Sequence, residues 1–300
     1  MAARLTYLPP SALDALQRLE LVARDLVEGG LLGLHRSPFR GFSPEFAEYR
    51  EYTPGDNVKY VDWKTCARTD RCYVKCFEEE SNLNGYVLLD TSASMAMPDR
   101  AGRPVKFRYA AALAAAFLYL FRRQHDAGSL MTWSDRVGEC TECGTSLAHF
   151  LDCMRRLEAL KPGGTSDAAP CIESLAERIP RRAMVLIFSD FLDRRPDFYK
   201  SLARLLYNRC EIILFQVMNA DELEFPYAGV VRFKDPESGQ TMELDADGWR
   251  AEYLAGLDAW NKRLRAFCDS RHVTIEPVST ALPFERALAA FFARREAMLK

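Results

Sequence analysis

From residue 85 onward, short apolar runs alternate with longer stretches of helical periodicity, and that alternation admits few folds. A parallel strand covered on both faces reads as an unbroken apolar run, and it needs a crossover, usually a helix, to reach its neighbour. The pattern predicts strands at Tyr86–Leu89, Ser129–Trp133, Met184–Phe188, Glu211–Val217 and Val273–Pro277. Helices are expected near Val105–Gln124, Ser146–Leu160, Asp167–Arg178, Pro196–Tyr207, Gly248–Asp269 and Pro283–Ala297. The expected class is therefore α/β, a doubly wound, mostly parallel central sheet flanked by helices. Residues 229–244 break the alternation. Two short runs, Val230–Phe233 and Thr241–Leu244, flank Asp235–Gly239 and read as a hairpin carried on the sheet's edge.

The chain before residue 85 differs in character. Residues 11–27 read as a helix, capped by Ser11 and stopped by Gly29-Gly30. From Leu31 to Asn84, Pro38, Gly41, Pro44, Pro54 and Gly55 punctuate aromatic and charged residues, so loops and short strands are expected, with one strand over Tyr73–Phe77. Thr53-Pro54-Gly55-Asp56 suits a type II turn, since proline presets the first central angle and glycine accepts the positive φ of the second. Two parts follow: residues 1–84, a helix with a loop-and-short-strand extension packed on the main domain, and residues 85–300, the α/β domain itself.

With 40 Lys and Arg against 42 Asp and Glu, no global positive charge argues for nucleic acid or an anionic membrane. The longest apolar-leaning stretch, Tyr109 to Phe121, falls well short of the ~20 residues that span a bilayer. The N-terminus lacks a secretory pattern, and a cytoplasmic protein without a transmembrane segment is expected. The 9 cysteines are scattered and odd in number, so they are expected to stay reduced. Zinc is a minor reading: Cys66, Cys72 and Cys76 cluster, as do Cys140 and Cys143, but no histidine lies at finger-like spacing beside either group.

The first strand ends abruptly in Asp90-Thr91-Ser92-Ala93-Ser94, which puts an acid and two hydroxyls at alternate positions beyond its carboxyl end, where open α/β sheets place their sites. Two later loops carry matching chemistry. Gly163-Gly164-Thr165 exposes a hydroxyl just before a helix, and Phe188-Ser189-Asp190 ends another buried strand in an acid. Two carboxylates and three hydroxyls form a hard, all-oxygen set suited to Mg²⁺ or Mn²⁺. Each residue also has a plainer role open to it, because Asp, Ser and Thr commonly cap the helix that follows a strand.

Asp90-x-Ser92-x-Ser94, Thr165 in its Gly-Gly-Thr turn and Asp190 in its Ser-Asp strand end resemble the metal-ion-dependent adhesion site of von Willebrand factor type A domains. The resemblance implies that Ser92, Ser94 and Thr165 contact a metal directly or nearly so, while Asp90 and Asp190 act largely through bound water. It also implies that an acidic group of a partner protein completes the coordination. A second resemblance covers the preceding stretch. Ser37-Pro38-Phe39-Arg40-Gly41, Glu45-Phe46, Arg50-Glu51-Tyr52-x-Pro54-Gly55-Asp56, Asp62-Trp63, Ala67-Arg68 and Phe77-Glu78-Glu79-Glu80 are similar to the signature of the bacterial domain of unknown function 58 family. That family carries a type A-like domain and commonly accompanies MoxR-type AAA+ ATPases, which implies an adaptor or cofactor role beside such a motor.

The reading is thus a non-enzymatic protein-binding module that takes a partner carboxylate through a divalent metal. Two alternatives stand beside it: a Mg²⁺-dependent phosphohydrolase or phosphotransferase using Asp90, and a metal-independent scaffold. The sequence resists the enzyme. Haloacid-dehalogenase-like phosphatases need an acid where Ser92 stands, Gly163-Gly164-Thr165-Ser166 lacks a phosphate-loop lysine, and none of His35, His125, His149 or His272 lies in a recognisable catalytic motif. Charges such as Arg50, Asp56, Asp62 and Arg68 among tyrosines are expected to pin irregular backbone, and Trp249, Tyr253 and Trp260 to pack one helix face into the core.

Overall fold

The computed structural model describes residues 7–8, 45–51, 65–66, 72–78, 83–192 and 197–299. The chain divides into two compact units, one holding Leu83–Lys300 and the other Glu28–Asn82. In the smaller unit, β1 (Glu45–Glu51) and β2 (Tyr73–Glu78) pair antiparallel, so the strand expected at Tyr73–Phe77 is present. Cys66 and Cys72 form a disulfide, against the expectation of reduced thiols. Their Cα atoms lie 4.4 Å apart, within bridging reach. The helix expected over 11–27, the turn at Thr53–Asp56 and most of the charged signature lie outside the described residues.

In the larger unit the elements follow one another as β3 (Asn84–Asp90), α1 (Lys106–Arg123), β4 (Ala127–Trp133), β5 (Val137–Cys140), α2 (Leu147–Ala159), α3 (Ala168–Arg178), β6 (Met184–Ser189), α4 (Asp197–Tyr207), β7 (Glu211–Met218), α5 (Ala220–Glu224), β8 (Val230–Lys234), β9 (Thr241–Asp245), α6 (Ala246–Arg271), β10 (Thr274–Ser279) and α7 (Phe284–Leu299). The main sheet runs β10-β7-β6-β3-β4-β5, parallel throughout except for the antiparallel β4–β5 pair. This is the expected doubly wound α/β sheet, and every predicted strand and helix from residue 85 onward has its counterpart.

Successive residues of the inner strands serve opposite faces, as a pleated strand requires. Tyr86 and Leu88 of β3, Val185 and Ile187 of β6, and Ile212 and Leu214 of β7 join one core with Ile172 and Leu175 of α3, Leu202 of α4 and Leu264 of α6. On the other face, Phe117 of α1 lies 6.2 Å from Phe188, 5.3 Å from Phe215 and 5.9 Å from Phe291 of α7, centroid to centroid. A helix sandwiched between a sheet and another helix must be apolar nearly all round, and α1 is, with its alanines letting the backbones approach.

Gly85 shows how tightly that face closes. A Cβ there would stand 2.7 Å from Cδ2 of Phe121 and nearer still to Cε2 and Cζ of the same buried ring. Gly85→Ala is expected to destabilise the domain by about 1–3 kcal/mol through overpacking, read as a lowered urea midpoint at unchanged slope.

Two features depart from the sequence reading. The hairpin forms, but β8 and β9 make their own two-stranded sheet and do not extend the edge of the main one. The edge beyond β4 is instead taken by the unanticipated β5.

Candidate functional site

The switch point of the sheet lies between β3 and β6, because α1 carries the chain from β3 to β4 on one side while β6 pairs with β3 on the other. Side chains at the carboxyl ends of these two strands therefore face a crevice left by diverging connections. Asp90 ends β3 and Asp190 follows the last residue of β6, and both are buried.

Short-range hydrogen bonds hold the loops. Asp90 Oδ1 accepts the Ser92 backbone N–H at 2.9 Å, and Asp90 Oδ2 accepts the Ser189 hydroxyl at 2.6 Å. The Ser92 and Ser94 hydroxyl oxygens lie 2.9 Å apart, the latter carried on a 3-10 turn over Ala93–Ala96. The glycine loop is sewn to this segment by backbone bonds from Gly163 N to Thr91 O (2.8 Å) and from Ala93 N to Gly164 O (3.0 Å). Gly164 has φ +79, a left-handed conformation that glycine accepts without strain, and it turns the chain so that Thr165 stands exposed.

After β6 the chain turns sharply at Phe191, whose φ of 53 is costly for a bulky residue. That turn is held from several sides. The Ser189 hydroxyl oxygen accepts Phe191 N–H, the Trp260 indole donates to Phe191 O at 2.9 Å, and the Gln216 amide donates to Asp190 O at 3.3 Å. Trp260 thus packs inward as expected, with its polar edge fixing a site loop.

The sequence reading missed Lys106. Its ammonium is fully buried and donates to Asp190 Oδ2 at 2.7 Å and to Glu222 Oε1 at 2.5 Å. Glu222 in turn completes a capping box with Asn219 at the start of α5. Burial alone would push the Lys106 ammonium down, but the carboxylates of Asp190 and Glu222 outweigh it and hold it above its ordinary value. Burial pushes Glu222 up despite Lys106. Burial, reinforced by the Asp190 charge, pushes Asp90 up to about 6 against the bonds from Ser189 and Ser92. These directions agree with one another, because one ammonium answers three buried carboxylates.

A cation-binding reading can be tested on that electrostatic pattern. Three buried carboxyl groups, those of Asp90, Asp190 and Glu222, gather around the single ammonium of Lys106, a surplus of acid that a divalent ion would answer. The neighbouring hydroxyls are hard oxygen donors, so the residues present fit Mg²⁺ or Mn²⁺. They differ from a site built on His, Cys, Asp and Glu alone, and among the described residues no group of three or more such side chains is placed to hold a metal ion. The minor zinc reading gains nothing from the cysteines: Cys143 bonds with Tyr86, and the buried Cys153 lies beside Thr141 and His149.

At the rim, Glu237 of the β8–β9 turn accepts the Ser166 backbone N–H at 3.0 Å, one residue beyond Thr165. A carboxylate of this chain already rests on the glycine loop.

A doubly wound α/β domain with an acidic and hydroxyl-rich crevice at its switch point is the class that this geometry defines. The chain belongs to the family described as protein of unknown function DUF58, whose family model matches residues 48–262. That membership meets the expectation of the domain of unknown function 58 family, and the sheet meets the expectation of a doubly wound α/β domain. Uncharacterized proteins of Mycobacterium tuberculosis and Mycobacterium bovis are each 28% identical to it over 239 residues, covering 79% of this chain and 75% of theirs. Among solved structures, BatB of Bacteroides thetaiotaomicron is 11% identical over 72% of this chain and 99% of that one, with a TM-score of 0.47. The SpRpn10 VWA domain is 13% identical over 69% of this chain and 93% of that one, with a TM-score of 0.40. No helix among the described residues is long and apolar enough to cross a membrane.

Proposed function

We propose that this protein is a non-catalytic binding module whose crevice takes a carboxylate of a partner protein with the help of a divalent cation. The observation that carries the reading is the surplus of buried carboxyl groups over the one ammonium, beside paired serine hydroxyls at the sheet's switch point. Ser92, Ser94 and Thr165 would supply hydroxyl oxygens to the ion, and Asp90 and Asp190 would act through bound water. The bound Mg²⁺ or Mn²⁺ would supply the positive charge that attracts an acidic side chain.

The chain's own residues do the rest. Lys106 holds the Asp190 carboxylate in place, Ser189 and the Ser92 backbone orient Asp90, and the Gly163–Thr165 loop leaves Thr165 exposed to an approaching partner. The partner class that suits the family resemblance is a MoxR-type AAA+ ATPase or its client.

The test is capture of candidate ATPases by the full chain in Mg²⁺ and in chelator, comparing wild type with Thr165→Ala. Metal-dependent capture that the substitution weakens by about tenfold or more supports the module. Capture that is equal in chelator would leave a scaffold independent of metal. Phosphate release from generic substrates, abolished by Asp90→Asn, would favour the enzyme.

Glu237→Gln bears on the same surface. Removing its charge from the rim of the glycine loop is expected to strengthen metal-dependent capture of an acidic partner several-fold, measured in the same assay.

A further inference from the structure

A second feature adjoins the crevice through Glu222. Between α5, the β8–β9 hairpin and the start of α6 lies a cavity of about 210 Å³, and its walls are aromatic. Phe225 forms the centre of the cluster, with ring centroids 4.6 Å from Tyr253, 5.1 Å from Tyr227 and 5.7 Å from Phe233. Trp249 lines it while remaining 48% exposed, which contradicts its expected place in the core.

The polar lining is acidic. Asp221 and Glu222 contribute carboxylates, and no basic residue lines the cavity. Glu222 is already matched by Lys106 behind it. Asp221 is not: it is 5% exposed, its Oδ2 accepts the neutral backbone N–H of Arg100, and among the described residues it has no ion pair. Asn219, 1% exposed, lines the same cavity, and its Nδ2 has no acceptor among the described residues.

Aromatic faces beside an unmatched carboxylate select organic cations, because the ring quadrupole and the charge act in the same sense. Tyr227 already shows the preference within this chain, since the Arg100 guanidinium lies 5.3 Å from its ring centroid while donating to Pro226 O. We propose that this cavity is a binding site for a basic side chain, arginine or lysine, of a partner polypeptide. The side chain's stem lies against Phe225, Phe233 and Tyr253, its charge faces Asp221, and a peptide carbonyl entering with it supplies the acceptor that Asn219 Nδ2 lacks. The site needs no metal and does not rest on the reading of the crevice.

The experiment is a saturation-transfer NMR titration of the full chain, in chelator, with acetyl-Gly-Arg-Gly-amide. The same peptide carrying citrulline, which keeps the shape and removes the charge, is the comparison. Saturable binding of the arginine peptide, weakened about tenfold or more by citrulline and by Asp221→Asn, is expected. Asp221→Asn keeps an acceptor for Arg100 N–H, and Trp249→Ala, at an exposed position, provides a second variant that should also weaken binding. Equal binding of the citrulline peptide would overturn the proposal in favour of a merely apolar site. No saturable binding, or binding indifferent to both substitutions, would overturn it outright. Because chelator is present throughout, neither result bears on divalent-ion binding at Asp90.

Discussion

Replacing Lys106 by methionine is expected to cost the domain about 3–5 kcal/mol, the scale seen when one partner of a buried ion pair is removed. The substitution keeps a flexible stem of similar reach and deletes the charge. It leaves the buried carboxyl groups of Asp190 and Glu222 without the cation they share, with Asp90 adding to the repulsion on Asp190. The loss should be read from urea unfolding at neutral pH. Its cause can be separated from lost packing by adding Glu222→Gln, which removes one of the stranded charges and should recover a substantial part of it. A loss below about 1 kcal/mol, or one that the second substitution does not relieve, would mean that the ammonium is not what holds the cluster together.

The second large effect runs opposite to the usual consequence of altering a functional residue. The Asp90 carboxyl is held at about 6 in the folded chain against an ordinary 3.8, so the folded state binds its proton more tightly than the unfolded state does. Its contribution to stability is fully present below the unfolded value and is lost as pH rises through the folded one. In chelator, the wild type should therefore lose up to about 3 kcal/mol between roughly pH 4 and pH 7 on this account. Asp90→Asn keeps an acceptor for Ser92 N–H and has no charge to bury. It should be the more stable protein at pH 7 in chelator, with the advantage fading toward pH 4. Adding Mg²⁺ at about 1,000 times its Kd should reverse the order, since a ligand at that level stabilises by about 4.1 kcal/mol and the variant should gain nothing. Equal stability of the two proteins across this range would mean that the carboxylate is better solvated than its burial indicates.

Much of the fold was legible because its strands are buried on both faces. Val87–Leu89, Leu186–Phe188 and Ile212–Phe215 stand out as apolar runs for that reason, and the helices between them carry their own period. The elements that escaped lack such a signal. β5 is a short edge strand with no fully buried residue, and α5 is a single turn and a half set by the Asn219–Glu222 capping box. The hairpin was visible in its turn residues, but nothing local says whether two strands extend a sheet or stand alone. The crevice divides in the same way. Asp90, Ser92 and Ser94 share one short loop and Thr165 follows a glycine turn, so spacing reveals them. Lys106 opens a helix, where a lysine ordinarily points to solvent, and its partners lie 84 and 116 residues away. Glu237 reaches Ser166 from a separation of 71 residues. An interaction made only by tertiary folding leaves no period in the sequence, and an unmatched acidic crevice is the clue that a buried cation was to be sought.

The most direct measurement is isothermal titration of Mg²⁺ and Mn²⁺ into the chelated full chain, wild type beside Asp90→Ala and Thr165→Ala. The account predicts saturable binding below about 10 mM metal that is lost with Asp90→Ala and weakened with Thr165→Ala. Absence of saturable binding in the wild type, or binding unchanged in both variants, would contradict the assignment of a divalent cation to the crevice.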